Sequence, residues 1–265
     1  MNPNGKIKHI DIETGNDKLL NIKSNQIIQP TLNENLKLLK KENIKIIFLE
    51  NEKSKRILTS LTYLLSANSL TDPFLKFEKL WRAFNNLYTF IAKTKIDHNA
   101  LVEFKKFMKR KPFLFDNSVK YFNQYKGNDI RLKLRIQELI RNNFPKGNQI
   151  EAYKDMILRY SDFKVMEIIN ETLVYKKSEL ESVGLYDVVI NHINKHINLK
   201  TNNSIEIVSF ISLIYMYFVR NKLFHGEIMD STFRLLNGKE HEEMEWLCSI
   251  LLRLNIDTIN ASNHF

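Results

Sequence analysis

The sequence predicts an all-α protein. Residues that break helices are few, with 7 glycines and 5 prolines among 265 residues, and apolar residues recur at helical spacing over long stretches. The chain is 43% hydrophobic and 26% charged, a composition typical of globular proteins. Its length suits one large domain, or one domain with a sizeable insertion.

The first 51 residues form a separate N-terminal region, for which an α/β arrangement is open. Ile7, Ile10 and Ile12 stand among polar residues and predict a short strand. Residues 44–49 predict a second strand, and the leucines within 36–39 predict a helix between the two.

Helices follow from Glu52 to the C-terminal part of the chain. The pair Asp72-Pro73 predicts a helix start, because aspartate caps helices and proline suits the first helical position; that helix runs to about Lys93. Further helices are predicted at about 97–109, 116–125, 129–143, 149–159, 162–174, 185–197, 204–225 and 240–256. The two long helices before residue 97 and the two after residue 200 predict a four-helix bundle within 52–265, with a helical insertion at about 97–200.

Targeting signals are not evident, and we expect a cytoplasmic protein. The segment from Met1 to Glu13 is polar and lacks the apolar centre of a signal peptide. The longest apolar run, Ile205 to Val219, is short for a membrane span, contains Glu206 and predicts a buried helix. The single cysteine, Cys248, excludes a disulfide framework within the chain and indicates a reducing compartment.

Positive charge is concentrated in the middle of the chain. The net charge is +10, and residues 101–150 alone carry 12 basic and 4 acidic side chains. Such a block predicts binding to a polyanion, and we expect RNA. The candidate RNA-binding residues are Lys105, Lys106, Lys109, Arg110, Lys111, Arg131, Lys133 and Arg135.

Aromatic residues alternate with these charges. They could stack single-stranded bases, or they could be the buried faces of short helices, and we expect the second role for most of them. The aromatic residues concerned are Phe104, Phe107, Phe113, Phe115, Tyr121, Phe122 and Tyr125.

The most informative motif closes the apolar run. Arg220 and His225 are five positions apart, so on an ideal helix their side chains would diverge by about 140°. They can face one site only if the helix ends between them, and Gly226 favours such an end. A fixed cation and a titratable imidazole are the groups needed to cut a phosphodiester without a metal, and Asn221 would position the site.

Spacing alone does not establish that site. A similar spacing relates Arg234 to His241, across a predicted turn. The structural alternative for Arg220 and His225 is an arginine that reaches out from a helix end and a histidine that caps the last carbonyls.

Two segments carry a resemblance to a known family. The segment RNKLFHGE, residues 220–227, resembles the Arg-x4-His motif of HEPN domains, especially the Apea-like group. The segment KFEKLWRAFNNLY, residues 76–88, resembles the companion helix of that group. The resemblance covers about 52–93 and 204–257.

The resemblance implies a HEPN-like four-helix bundle that forms a homodimer, with two Arg/His sets facing one cleft. It also implies a metal-independent endoribonuclease that cuts RNA by attack of the 2′-hydroxyl, in a phage-defence or toxin system. By position, Arg220 and His225 are the essential pair and Asn221 is the polar residue that follows the arginine. Asn85 and Asn86 carry over from the companion helix.

Other functions remain open. Some relatives lack activity, so the alternative is a non-catalytic HEPN module that binds RNA or a protein partner, such as a regulatory or antitoxin protein. A basic DNA-binding adaptor would need a helix-turn-helix signature, which we do not find. His192 and His196 are four positions apart and could bind a metal, but no third ligand is evident nearby. We therefore expect no metal and no cofactor.

Overall fold

The computed structural model describes residues 9–11, 47–49, 52–124, 128–141, 149–224 and 239–265. The all-α prediction is confirmed, because apart from one short ladder and the turns between elements the described residues are helical. Strands β1 (His9–Asp11) and β2 (Ile47–Leu49) pair antiparallel, with His9 opposite Leu49. Both strands fall within the predicted strand segments, whereas the helix predicted between them lies outside the described residues.

The helices follow the predicted order closely. In chain order they are α1 (Glu52–Asn68), α2 (Pro73–Ala92), α3 (Asp97–Arg110), α4 (Asp116–Gln124), α5 (Asn128–Arg141), α6 (Gln149–Leu158), α7 (Phe163–Thr172), α8 (Lys177–Ser182), α9 (Tyr186–Asn198), α10 (Ser204–Phe210), α11 (Met216–Phe224) and α12 (Lys239–Asn260). Short 3₁₀ turns occur at Pro112–Phe115, Leu173–Tyr175 and Ala261–His264, and a π-helical turn, Ile211–Tyr215, joins α10 to α11.

Two compact units divide the chain: residues 1–118 with 222–265, and residues 119–221. In the first unit α2 packs against α1, α3 and α12. The Asp72 carboxylate begins α2 by accepting from the backbone N–H groups of Phe74 and Leu75, as its Asp-Pro pair predicts. Aromatic side chains fill the interface of α2 with its neighbours; the rings of Phe84 and Phe104, for example, lie 5.2 Å apart between α2 and α3.

The second unit is held by a buried polar network as well as by apolar packing. Asp162 caps α7 through the N–H groups of Lys164 and Val165, and its other oxygen accepts from the Asn203 N–H at 2.8 Å. The fully buried Glu206 of α10 accepts from the N–H and hydroxyl of Ser161 and from the Asp162 N–H. These bonds fix the turn before α7 against the start of α10.

The unit limits differ from the sequence-based insertion at about 97–200. Helix α3 belongs to the first unit because Phe104 and Phe107 pack with Phe115 and with the aromatic residues of α2. The chain from Ser204 to Asn221 belongs to the second unit, where the Tyr160 and Phe210 rings lie 5.3 Å apart. The packed helices of the first unit are thus α1, α2, α3 and α12.

The segment Ser204–Phe224 is the one candidate for a membrane span among the described residues, by length and composition. Of its most apolar window, 56% is buried inside the protein. A mostly buried core helix passes the same test, and the sequence predicted a buried helix here.

Candidate functional site

The candidate site lies at the end of a buried helix that contains a π turn. In α10 and the turn that follows it, Ile207 and Ile211 are at most 3% exposed. Two serine hydroxyls bond back to the helix, Ser209 to the Glu206 carbonyl and Ser212 to the Val208 carbonyl. Such bonds compete with the regular helical ladder, and π turns occur often at functional sites.

Helix α11 leaves the core over its last two turns. Val219 is 6% exposed, whereas Phe224 is 47% exposed. Arg220 and Asn221 fall between them, and both are partly exposed. The apolar sequence up to Val219 therefore buries the helix, and the polar residues that follow bring it to solvent.

The structure brings two of the three predicted catalytic residues together. The Arg220 Nη1 donates to the Asn221 Oδ1 at 2.9 Å, so the amide holds the guanidinium beside the helix end. A guanidinium keeps its charge at any physiological pH and can offer two parallel N–H groups to a phosphate.

The third residue, His225, lies outside the described residues, as does Gly226. The helix end that the sequence predicts between Arg220 and His225 stays a prediction. Of the second Arg/His pair, Arg234 also lies outside them, while His241 approaches Glu245 with its Nε2 3.6 Å from the carboxylate.

The companion-helix asparagines have different surroundings. Asn86 binds α1: its amide donates to the Arg56 carbonyl and the Ser60 hydroxyl, and its oxygen accepts from the Arg56 guanidinium at 2.9 Å. Asn85 donates to the Asp97 carboxylate at 3.0 Å and lines a cleft of the first unit. Asn86 is therefore a helix-packing residue.

The predicted RNA-binding residues fall in both units. Those at 105–111 lie on α3 and its C-terminal end, and those at 131–135 lie on α5. On α3 the basic side chains lie on the face opposite to the buried Phe104 and Met108, and Lys106 pairs with Glu103 at 2.7 Å. On α5, Lys133 pairs with Glu171 at 2.5 Å, while the side chain of Arg135 lies outside the described part.

The aromatic residues among these charges are mostly core, as expected. Phe104, Phe107, Phe115 and Phe122 are at most 5% exposed. Phe113 is the exception, with 62% exposure, and it stands edge-on to the His264 ring. Tyr121 is partly exposed, and Tyr125 lies outside the described residues.

The histidine pair considered for a metal has other partners. The ring centroids of His192 and His196 are 4.7 Å apart, the His192 Nε2 donates to the Tyr160 carbonyl at 2.8 Å, and the His196 Nδ1 lies 3.2 Å from the Thr201 hydroxyl. Burial, followed by the nearby His192 and Lys195, lowers the pKa of His196. Among the described residues, no group of three His, Cys, Asp or Glu side chains could hold a metal ion.

Cys248 has no catalytic surroundings. It is 2% exposed, and its thiol donates to the Pro73 carbonyl at 3.2 Å. Burial raises the pKa of this thiol to about 12, so it stays protonated and is a poor nucleophile.

A cleft in the first unit was not predicted from the sequence. Residues from five separate segments of the first unit line a cleft of about 710 Å³, among them Lys93, Arg110 and Phe265. In the sequence, the cleft is indicated only by the two lysines of the Lys93-Thr94-Lys95 connection between predicted helices. Sequence spacing does not show that this connection and the distant Phe265 line the same cleft.

Comparisons of this chain with family models, with curated proteins and with solved structures gave no match.

Proposed function

We propose that the protein is a metal-independent endoribonuclease of the HEPN type, acting in phage defence or in a toxin system. The observation that supports this most is the Arg220–Asn221 pair at the end of the buried helix. His225 follows in the sequence within about one and a half turns of Arg220. An always-charged group and a titratable group thus stand close along the chain where the helix reaches solvent.

The reaction is an internal transfer in RNA. His225 removes the 2′-hydroxyl proton, the 2′-oxygen forms a bond to phosphorus, and the bond from phosphorus to the 5′-oxygen breaks. A proton returns to the leaving 5′-oxygen. Arg220 stabilises the charge on the pentacoordinate phosphorus, and Asn221 holds the guanidinium in place.

The products distinguish this route from hydrolysis assisted by a metal. Internal transfer leaves a 2′,3′-cyclic phosphate or a 3′-phosphate, together with a 5′-hydroxyl. We therefore expect purified protein to cut total cellular RNA in the presence of EDTA and to leave these ends. Strict dependence on Mg²⁺ or Mn²⁺, with 5′-phosphate ends, would contradict the mechanism.

Substitutions test the residues themselves. Arg220→Ala and His225→Ala should each lower the cleavage rate by at least about 100-fold, the usual scale for a catalytic acid or base. The matched controls are Arg234→Ala and His241→Ala, which share the residue types and nearly the spacing and should have little effect. Comparable loss from the control pair would mean that the site has been assigned to the wrong residues.

The alternative is a non-catalytic HEPN module that binds RNA or a protein partner. It is favoured by the basic face of α3, which needs no catalytic residue to bind RNA. Binding without cleavage by the wild-type chain, with affinity unchanged in Arg220→Ala, would support it. Loss of cleavage in that variant, with unchanged affinity, supports the enzyme.

A further inference from the structure

The cleft of the first unit has the size of a small-molecule site. Its volume is about 710 Å³, within the range of pockets that bind molecules of cofactor or drug size. It is lined by the start of α1, the second half of α2, the connection to α3, both ends of α3 and the C-terminal residues. Residues that converge from so many segments shape a concave surface, which one helix cannot form alone.

Aromatic rings form one side of the cleft. The Phe265 ring stands edge-on to Phe90 and to Phe107, with centroids 6.3 and 6.0 Å apart. Phe107 is 5% exposed, while Phe90 and Phe265 are partly exposed. The ammonium of Lys53 donates to the Ser262 carbonyl and to a backbone oxygen of Phe265, which fixes the last turn against α1. These rings offer a firm apolar surface to a flat ligand.

Cations outnumber carboxylates around the same cleft. Arg56, Lys93, Lys95 and Arg110 line it, against Glu52 and Asp97. Both carboxylates are engaged by the protein: Glu52 accepts from the Arg56 guanidinium at 2.8 Å, and Asp97 accepts from the Asn85 amide and the Tyr88 hydroxyl at 3.0 Å.

The remaining cations are Lys93, Lys95 and Arg110. Within the part of the chain that the structure describes, these three side chains form no ion pair. The cleft therefore keeps positive charge available for an anion.

Lys93 occupies a backbone conformation that a lysine rarely adopts. Its φ is 54°, in the left-handed region, where it ends α2 and donates its N–H to the Phe90 carbonyl. Glycine is the usual residue at such a helix end, and a side chain there costs about 1 kcal/mol. A lysine at this position sets a cation at the cleft.

We infer that this cleft binds a small molecule that carries both a phosphate group and a flat ring. The ring would lie against Phe90 and Phe265, with the phosphate beside the lysines of the 93–95 connection. The inference goes beyond the proposed nuclease, since it uses none of Arg220, Asn221 or His225.

Calorimetric titration of the whole chain tests the inference with AMP and with phenyl phosphate. The matched probes adenosine, phenol and inorganic phosphate each lack one half of the ligand. We expect at least one phosphorylated ring to bind about tenfold more tightly than any of these three, because only it uses both surfaces of the cleft. Tighter binding of AMP would identify a nucleotide, and tighter binding of phenyl phosphate a simpler aromatic ester.

Lys93→Gly tests the role of the Lys93 ammonium most directly. Glycine relieves the left-handed strain, so the fold and thermal stability should be kept, while the affinity falls about tenfold because the ammonium no longer meets the phosphate. Lys95→Gln, in the same connection, should weaken binding similarly. Lys55→Gln removes an exposed lysine of α1 that does not line the cleft, and it should change nothing.

Arg220→Ala separates this site from the nuclease, and it should leave the affinity for these probes intact even where RNA cleavage is lost. The inference is overturned if neither AMP nor phenyl phosphate binds, if adenosine binds as well as AMP, or if Lys93→Gly and Lys95→Gln bind normally. Loss of AMP binding in Arg220→Ala would overturn it too, because the probe would then occupy the nuclease site. Binding of a single-stranded RNA, weakened by Arg110→Gln, without binding of either small probe would assign the cleft to RNA instead.

Discussion

The buried carboxylate of Asp257 joins α12 to the start of α4. Its Oδ2 accepts from the backbone N–H and the hydroxyl of Ser118, at 2.8 and 2.7 Å, and its Oδ1 accepts from the Asn117 amide. The Ser118 N–H belongs to the first turn of α4, where a helix has no internal partner for its N–H groups. One side chain on a distant helix thus caps the first turn of α4.

Asp257→Ala should therefore destabilise the protein by about 3 kcal/mol, because three donors lose a buried acceptor. Asp257→Asn keeps one acceptor oxygen and should cost less. Burial raises the pKa of Asp257 despite its hydrogen bonds, so the native state holds the proton more tightly than the unfolded chain. The stability that this group contributes is present below its ordinary pKa of 3.8 and is lost as the pH rises through the folded value.

Urea unfolding of the wild type and both variants at two acidic pH values measures these effects. The difference between wild type and Asp257→Asn should grow as the pH falls. Equal stability of Asp257→Ala and the wild type would show that the capping contacts do not stabilise the fold.

His196 should make the protein less stable as the pH falls, which is the reverse of the effect of Asp257. Burial is the main cause of its lowered pKa, with the positive charges of His192 and Lys195 adding to it and Glu206 opposing it. The unfolded chain therefore binds this proton more readily, and stability falls as the pH drops from the ordinary value of 6.5 through the folded one.

His196→Gln should reduce that fall, measured as the free energy of unfolding across the range. His98→Gln, at an exposed position of α3, is the control. An identical decline in His196→Gln and in the wild type would contradict the role of this residue.

Among the secondary-structure elements, α3 has the most uneven charge distribution. Its buried face consists of Ala100, Leu101, Phe104, Phe107 and Met108, and its other face carries the basic residues. Changing Lys105, Lys106, Lys109, Arg110 and Lys111 together to Gln should weaken RNA binding. It should also reduce the slope of log affinity against log salt by roughly 0.7 for each phosphate that the variant no longer neutralises.

Lys133→Gln on α5, where the lysine pairs with Glu171, is the comparison for the second predicted RNA-binding segment. Binding measured at several salt concentrations separates the two sets. An unchanged slope in the α3 variant would mean that the basic face of α3 is exposed to solvent and does not bind RNA.

Element boundaries were predictable where the signal is local. Asp72-Pro73 and Lys111-Pro112 fix a helix start and a helix end through capping and through the missing N–H of proline. The limits of the two units were not predictable, because the apolar face of α3 suits many partners and only the tertiary fit with α2 selects one. The π turn at Ile211–Tyr215 likewise changes the helix register without a distinct mark in the apolar pattern.

In the candidate sites, too, some residues were predictable from the sequence and others were not. Arg220 and Asn221 were found from chemistry that is contiguous in sequence, and the structure adds the bond between them. The cleft was not foreseen, since Arg56, Lys93, Arg110 and Phe265 line one cleft only through the packing of α1, α2, α3 and the C-terminal residues. Contiguous motifs are visible in a sequence, whereas sites built from distant segments are not.

For the whole molecule, oligomeric state is the property that the proposed nuclease depends on most. Tyr217, Asn221 and Phe224 are spaced i, i+4 and i+7 on α11, so they share one helical face. Phe224 is 47% exposed and Tyr217 partly so. A second copy that covered this face across a two-fold axis would bring Arg220 of both chains to one cleft, so that one phosphate meets two cations.

We therefore expect a homodimer in solution, with light scattering at micromolar concentration giving twice the 31.4 kDa of one chain. Phe224→Glu should give monomers, because it buries a charge in the predicted interface. Phe113→Glu, at a phenylalanine that is 62% exposed on another surface, should leave the dimer intact. If both chains form the site, mixed dimers of wild type and Arg220→Ala lose activity, and adding the variant inhibits the wild type. A monomer that still cuts RNA would exclude a shared site, because each chain would then hold a complete set of catalytic groups.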